Sequence, residues 1–512
     1  MNEGAQIVLL NASSGIGTRS VGSYAVANEL RTAGYDVQVL DYCDLITKHD
    51  TVMLKRLLAK FVGSRTLWVG VSSTFMWNLR EAIKGNINQT QCQIVSFVRS
   101  TLDIDNDEER DLHEYIKALN PDVRIVLGGA RAFQMPSRDF YDAYMHGYGE
   151  VHAVDYTRWL EGKNPFFQYR MEGNNMVIDY NVTAEGFDFV HRPMDWSREH
   201  LVQGESLPME ISRGCIFRCK FCSYMLNGKS KLDYIKDPAV LRDELLRNYD
   251  LAGITNYTFL DDTYNDSVEK VQTLLEDVFA KLPFKITFST YLRLDLLAAK
   301  PETINMLRDS GIVGAFFGIE SLNEKANRAI GKGIKRDRII DTLWKVRQSW
   351  GEGAYTGAGF IIGLPHDDEK TIRSWLDEVV DPGFPLYHRS IFALEIWKRS
   401  KNRIWRSEFE EHYEDYGYLL DEGADDGWGF NRWVNTTTGM TYEKAVALAE
   451  EYFARSPYAI PYNFFTTALL SYGFDHTKFY DYRHGDGSLF EFQQRFIARR
   501  EAYWKALLEQ PA

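Results

Sequence analysis

Short apolar runs alternate with longer amphipathic stretches along most of the chain. Gln6–Leu10, Asp36–Leu40, Thr66–Ser72, Val123–Leu127 and Tyr141–His146 read as strands. Between the first two, Gly22–Ala33 has helical spacing, and Gly34 is placed to end the helix in the left-handed conformation glycine tolerates. A further helix is expected through Leu160. Strands separated by helices predict a parallel, doubly wound sheet. The stretch Glu161–Pro208 loses this rhythm and reads as a linker with one hairpin.

A second alternating series follows. Pro208–Ser212, Tyr257–Leu260, Ile286–Thr290, Ala315–Ile319, Thr356–Ile362 and Ser390–Glu395 read as strands, with helical spacing over Pro238–Tyr249 and Ser267–Lys281. Six β/α units fit a partial TIM barrel, where chemistry sits at the C-terminal strand ends. Polar residues stand at those ends: Asp261-Asp262, Arg293 and Glu320-Ser321. Beyond about residue 400 the pattern turns aromatic and helical, as in Tyr442–Phe453. The expected fold class is α/β. A Rossmann-like domain covers 1–160, a linker 161–204, a partial (β/α)6 barrel 205–400 and a mainly helical cap 401–512.

Composition changes this picture little. The 512 residues are 45% hydrophobic and 26% charged, the balance of a globular protein long enough for several cores. A net charge of −13 with no long Lys/Arg run argues against a dominant nucleic-acid surface. The first residues show no basic segment followed by an apolar stretch, and no apolar run approaches a membrane span. The expectation is a cytoplasmic protein.

The chemistry concentrates in Arg213-Gly-Cys215-Ile-Phe-Arg-Cys219-Lys-Phe221-Cys222. A [4Fe–4S] cluster takes four thiolates in its fully ligated form. This loop offers three, and the other cysteines, Cys43 and Cys92, lie far upstream. The spacing therefore suits a cluster with one iron left open. Zinc would want a fourth Cys or His close by, yet His191 and His200 precede the loop by more than a dozen residues. A disulfide is disfavoured in a five-cysteine chain without a secretory signal.

Over roughly Glu205–Ile396 the chain resembles the radical S-adenosylmethionine superfamily. Phe221 matches the aromatic that precedes the third cysteine, and Leu260-Asp261-Asp262-Thr263 occupies the place of the Gly-Gly-Glu segment. Gly318-Ile319-Glu320-Ser321 and Gly359-Phe-Ile-Ile-Gly363-Leu-Pro365 match the fourth- and fifth-strand patterns. The resemblance implies that Cys215, Cys219 and Cys222 hold the cluster, and that S-adenosylmethionine binds its open iron and is cleaved to a 5′-deoxyadenosyl radical. It implies Asp261 or Asp262 for the methionyl amine, Ser289 and Arg293 for the carboxylate, Glu320 for the ribose or a substrate group, and Phe221 and Gly363 near the adenine.

Asn11–Gly17 looks like a nicotinamide-binding turn, with Asp41 where a ribose-binding acid would stand. Position 20 is Ser20, however, and the third glycine of that fingerprint is missing. The segments Gly17–Gly22, Val69-Gly70-Val71-Ser72, Gly128-Gly129 and Gly147-Tyr148-Gly149-Glu150 resemble the cobalamin-binding-like domain that precedes the barrel in one branch of the superfamily. That resemblance implies cofactor contacts from Gly17, Ser72, Gly128, Gly129, Gly149 and Glu150, with no histidine to ligate cobalt. The implied activity is cobalamin-dependent methyl transfer to an unactivated carbon. Radical rearrangement, cyclisation or oxidation without methyl transfer stays open, as does a non-enzymatic iron–sulfur protein. The implied partners are a small-molecule or peptide substrate and an electron donor such as flavodoxin or ferredoxin, without nucleic acid.

Overall fold

Each apolar run expected as a strand in the first 150 residues forms one in the computed structural model, with ends shifted by up to two residues. The structure describes residues 2–12, 18–43, 48–72, 106–129, 132, 140–179, 188–222, 235–397, 407–421, 430–456, 465–474 and 488–510. The chain groups into two units: residues 1–82, 95–202 and 494–512 form one, and residues 83–94 and 203–493 the other.

In the first unit the strands are β1 (Ile7–Leu10), β2 (Val37–Leu40), β3 (Trp68–Ser72), β4 (Arg124–Gly128), β5 (Ala143–Met145), β6 (Arg170–Glu172) and β7 (Asn175–Ile178). They form one sheet in the order β2-β1-β3-β4-β5-β7-β6, parallel except for the β6–β7 hairpin. All four residues of β1 are buried, as expected of a parallel strand covered on both faces. Helices Val21–Thr32 and Gly149–Leu160 pack closely, because a Cβ at Gly149 would stand 3.0 Å from Val26 Cγ2. The hairpin expected within 161–208 forms, but β7 pairs with β5, so the expected linker supplies two strands of this sheet. Tyr503, Trp504 and Leu507 of the helix Ser488–Glu509 lie in the same core as Val8, Leu40 and Val69. Those three residues belong to the first unit rather than to the expected cap.

The second unit holds β8 (Ser206–Met209), β9 (Asn256–Phe259), β10 (Thr287–Leu292), β11 (Ile312–Glu320), β12 (Tyr355–Ile362) and β13 (His388–Ala393). These six strands lie parallel in sequence order, the open arrangement of a partial barrel. Side chains alternate between its faces. Phe259 and Phe288 stack at 4.4 Å on one face, against Phe279 of the segment that follows helix Val268–Thr273. On the opposite face, Thr258 and Ser289 meet Thr467 of helix Phe465–Ser471 at 2.8 and 3.2 Å. Glycines on that face of β11 and β12 leave room, and a Cβ at Gly359 would stand 3.3 Å from the Phe316 ring. Strands β14 (Ile396–Trp397), β15 (Tyr418–Asp421) and β16 (Phe430–Asn435) then form a small antiparallel sheet, with β16 central, before helix Tyr442–Arg455. This sheet has no clear alternation in sequence and was not expected. No helix among the described residues is long and apolar enough to cross a membrane.

Candidate active site

The cysteine loop leaves β8 through Gly214, whose φ of 84° is readily open only to a residue without Cβ. Cys215, Cys219 and Cys222 form no disulfide, and each is half-buried. Thr263 Oγ1 lies 3.3 Å from Cys215 Sγ, and burial pushes the Cys215 thiol up. Arg293 Nη1 donates to Cys219 Sγ at 3.3 Å, while Nε and Nη2 grip Asp295 at 3.0 and 2.6 Å. Its guanidinium also lies 3.9 Å from the Phe217 ring centroid. The guanidinium thereby fixes the Cys219 sulfur in place.

The loop backbone is clamped from two sides. Lys220 N donates to Ile330 O at 3.2 Å, and Phe409 N donates to Lys220 O at 3.0 Å. Lys220 Nζ also pairs with Glu408. Among the described residues no three His, Cys, Asp or Glu side chains could hold one metal ion between them. Three soft donors on one loop, with a hydroxyl beside Cys215 and a guanidinium on Cys219, remain the ligand type that iron–sulfur clusters take, each thiolate on its own iron.

The two adjacent aspartates have different surroundings. Asp261 is fully buried and accepts from Lys270 Nζ at 3.0 Å, with a further bond from Ser212 Oγ. Lys270 also donates to Ser212 Oγ at 2.8 Å, tying this pair to the start of the cysteine loop. Asp262 is half-buried, and desolvation together with Asp261 and Glu210 raises its carboxyl to about 7. An acid so raised is poised to gain from a cation placed beside it.

Glu320 ends β11 at a register shift, with a φ of 69° that is strained for a side chain of this size. Lys332 Nζ holds its Oε1 at 2.7 Å and donates to Gly318 O at the same distance. Oε2 has no hydrogen-bond partner among the described residues, and it lies 3.7 Å from where a Gly359 Cβ would be. The strand-end ion pair and an available oxygen therefore coexist on one carboxylate.

Other expected residues do not converge on this cluster. Ser289 is fully buried and bonded to Thr467. It lies four residues before Arg293, about 13 Å along an extended strand. Gly363 has a φ of 94°, and a Cβ there would stand 2.2 Å from Trp433 Cη2. Tyr418 OH donates to Gly363 O at 2.6 Å, so packing against the C-terminal sheet already accounts for this glycine. Phe221 is half-buried in the turn before Cys222.

In the first unit, Ser72 and Gly128 are register partners at the ends of β3 and β4, and Gly129 follows with a φ of 101°. All three are half-buried. The order β2-β1-β3-β4-β5 puts the topological switch of a doubly wound sheet between β1 and β3. Gly149 faces Val26, not this edge, and Glu150 is buried in the first helical turn. Gly17 lies outside the described residues. Asp41 is fully buried and accepts from Tyr24 OH, from Asn11 Nδ2 at 3.1 Å and from Tyr42 N at 2.6 Å, with Arg19 at 3.7 Å. This carboxylate is engaged inside the protein and is not presented to a ribose. Sequence reading gave Thr263 no role of its own and did not find Lys270, Lys332 or Trp433, whose roles depend on partners brought close only by the fold.

Residues 209–379 match the family model of the Radical SAM superfamily. The matched segment is about a third of the chain. It contains the cysteine loop, both aspartates, Arg293, Glu320 and Gly363. The chain is similar in structure to TsrM from Kitasatospora setae, a radical S-adenosylmethionine methyltransferase solved with cobalamin and a [4Fe-4S] cluster. The TM-score is 0.56 at 16% identity, over 82% of this chain and 81% of that one. It is also similar to OxsB, a cobalamin-dependent S-adenosylmethionine radical enzyme, with a TM-score of 0.57 at 16% identity over 93% and 71%. At such identities the likeness is one of fold. An uncharacterized methyltransferase of Pyrococcus horikoshii is 24% identical over 276 residues, which is 50% of this chain and 58% of that protein. The chain thus spans little more than half of that curated relative.

Proposed function

We propose that the protein is a radical S-adenosylmethionine enzyme that methylates an unactivated carbon with the help of cobalamin. The observation that carries this reading is the three-thiol loop at the strand ends of a radical SAM domain, with Arg293 bonded to one of its sulfurs. When bound, a [4Fe–4S] cluster supplies the electron that cleaves S-adenosylmethionine, and cobalamin supplies the methyl group.

The chain's own residues then have distinct tasks. Cys215, Cys219 and Cys222 hold the cluster. Asp262 receives the methionyl ammonium, because Asp261 is already neutralised by Lys270. Arg293 orients the Cys219 sulfur through its hydrogen bond, and Glu320 Oε2 accepts a hydrogen bond from a hydroxyl of the nucleoside or the substrate. In the first unit, Ser72, Gly128 and Gly129 end adjacent strands without bulky side chains, which fits the close approach of a flat ring. The division proposed is a cobalamin-binding-like domain over 1–160, a radical SAM barrel over 205–400 and a cap over 401–512, with the last helix returned to the first unit. TsrM and OxsB, both solved with cobalamin, support the assignment of that cofactor.

Anaerobic reconstitution should load about four irons per chain. With reductant and S-adenosylmethionine the loaded protein should release 5′-deoxyadenosine, and hydroxocobalamin should bind with a visible spectral shift. Full iron without deoxyadenosine would leave an iron–sulfur binding protein. Deoxyadenosine without cobalamin binding would leave radical chemistry without methyl transfer.

A further inference from the structure

We propose that the turn behind the cysteine loop is the docking face for an acidic one-electron carrier protein. This rests on the function proposed above and adds where its electron enters. The chain carries a net charge of −13, yet residues 325–338 contain six lysines and arginines and a single acid, Asp337. Asp337 is paired with Arg336, which also grips Glu378 at 2.6 Å. Arg218, Lys325, Arg328 and Lys335 are exposed, and none has an ion pair among the described residues. The adjoining helix Glu324–Ala329 adds one exposed acid, Glu324. A lone surface cation is ordinary, but four without an ion pair flanking one turn give a basic surface on an acidic chain.

The position of the turn decides the kind of partner. Ile330 O accepts from Lys220 N at 3.2 Å, and a Cβ on Gly331 would stand 3.9 Å from Arg218 O. The turn is therefore one backbone layer away from the segment between Cys215 and Cys222. From the same turn, Lys332 reaches Glu320 and Gly318 O. Gly331 and Gly333 are exposed, with φ of 86° and 58°, so their lack of side chains lets another protein approach the backbone. A reduced flavin or iron–sulfur carrier docked here loses one electron, and the group held by the three cysteines gains it. The cations gather on a turn instead of running as a stripe or groove, which disfavours a nucleic-acid strand.

The test uses the reconstituted full chain with a reduced flavodoxin as probe. The double variant Arg328→Glu/Lys335→Glu leaves the cysteines and strand ends untouched, and Lys335 makes no side-chain cap to the helix it precedes. Wild type should bind flavodoxin with an affinity that falls as salt shortens the Debye length, and charge reversal should weaken binding about tenfold. Flavodoxin-driven deoxyadenosine formation should fall in parallel, while dithionite-driven formation and iron content stay unchanged. Equal flavodoxin affinity in wild type and variant would overturn the proposal. So would single-stranded DNA displacing flavodoxin from the wild type. If wild type gives no deoxyadenosine even with dithionite, the proposed function fails, and the binding measurement still decides the docking face.

Discussion

The two parallel sheets treat the acids at their strand ends differently. After β2, Asp41 is enclosed by Asn11, Tyr24, the Tyr42 amide and Arg19, and Trp504 Nε1 donates to its backbone carbonyl at 3.0 Å. After β9, Asp261 is closed in the same way by Lys270, but its neighbour Asp262 keeps a raised carboxyl. A strand-end acid stays chemically available where a second acid has already taken the nearby cation. The first sheet spends its acid on holding structure. The barrel has two in sequence and divides the tasks.

The largest effect should come from removing a sulfur. Cys219→Ala should lower bound iron well below four per chain and cut deoxyadenosine formation by roughly 10⁴-fold or more, beyond the loss of any single electrostatic contact. Breaking the buried pairs comes next. Lys270→Met leaves Asp261 uncompensated and should cost about 3–5 kcal/mol in denaturant unfolding, and Arg19→Met should do the same to Asp41. If only one of the two variants is destabilised, the parallel between the sheets fails.

Asp262 should behave in the opposite sense. Its folded-state carboxyl, raised to about 7 from the ordinary 3.8, favours the protonated fold. Its contribution to stability is therefore greatest at low pH and is lost as pH rises toward about 7. Asp262→Asn should leave thermal stability at pH 8 unchanged or higher, yet weaken S-adenosylmethionine binding about tenfold by calorimetry. In wild type that affinity should rise as pH passes upward through about 7, and the variant should show a flat profile. The smallest effect belongs to Gly363→Ala. It meets Trp433 in a left-handed conformation and should cost about 1–3 kcal/mol, with S-adenosylmethionine affinity unchanged. A large loss of affinity instead would return this glycine to the cofactor.

The parts legible in sequence were those encoded locally. The strands of both sheets announce themselves by short apolar runs, and the cysteine loop by spacing alone. The choice between Asp261 and Asp262 was not legible, because Lys270, nine residues on, decides it only once helix Val268–Thr273 has formed. Trp433 above Gly363 is a contact between residues 70 positions apart, with no periodic signal to mark it. Hairpin β6–β7 was foreseen, but its union with β5 was not, since three- and four-residue strands have too few positions to show which sheet they extend.

The placement of Tyr503 and Trp504 among the first strands has a consequence for biosynthesis. A ribosome has delivered β1 to β7 long before it reaches these aromatics. At about 5–20 residues per second the nascent sheet waits roughly a quarter to a full minute for the last pieces of its interior. During that interval its apolar gap is open, so the earliest-made third of the polypeptide waits longest for its interior to be completed.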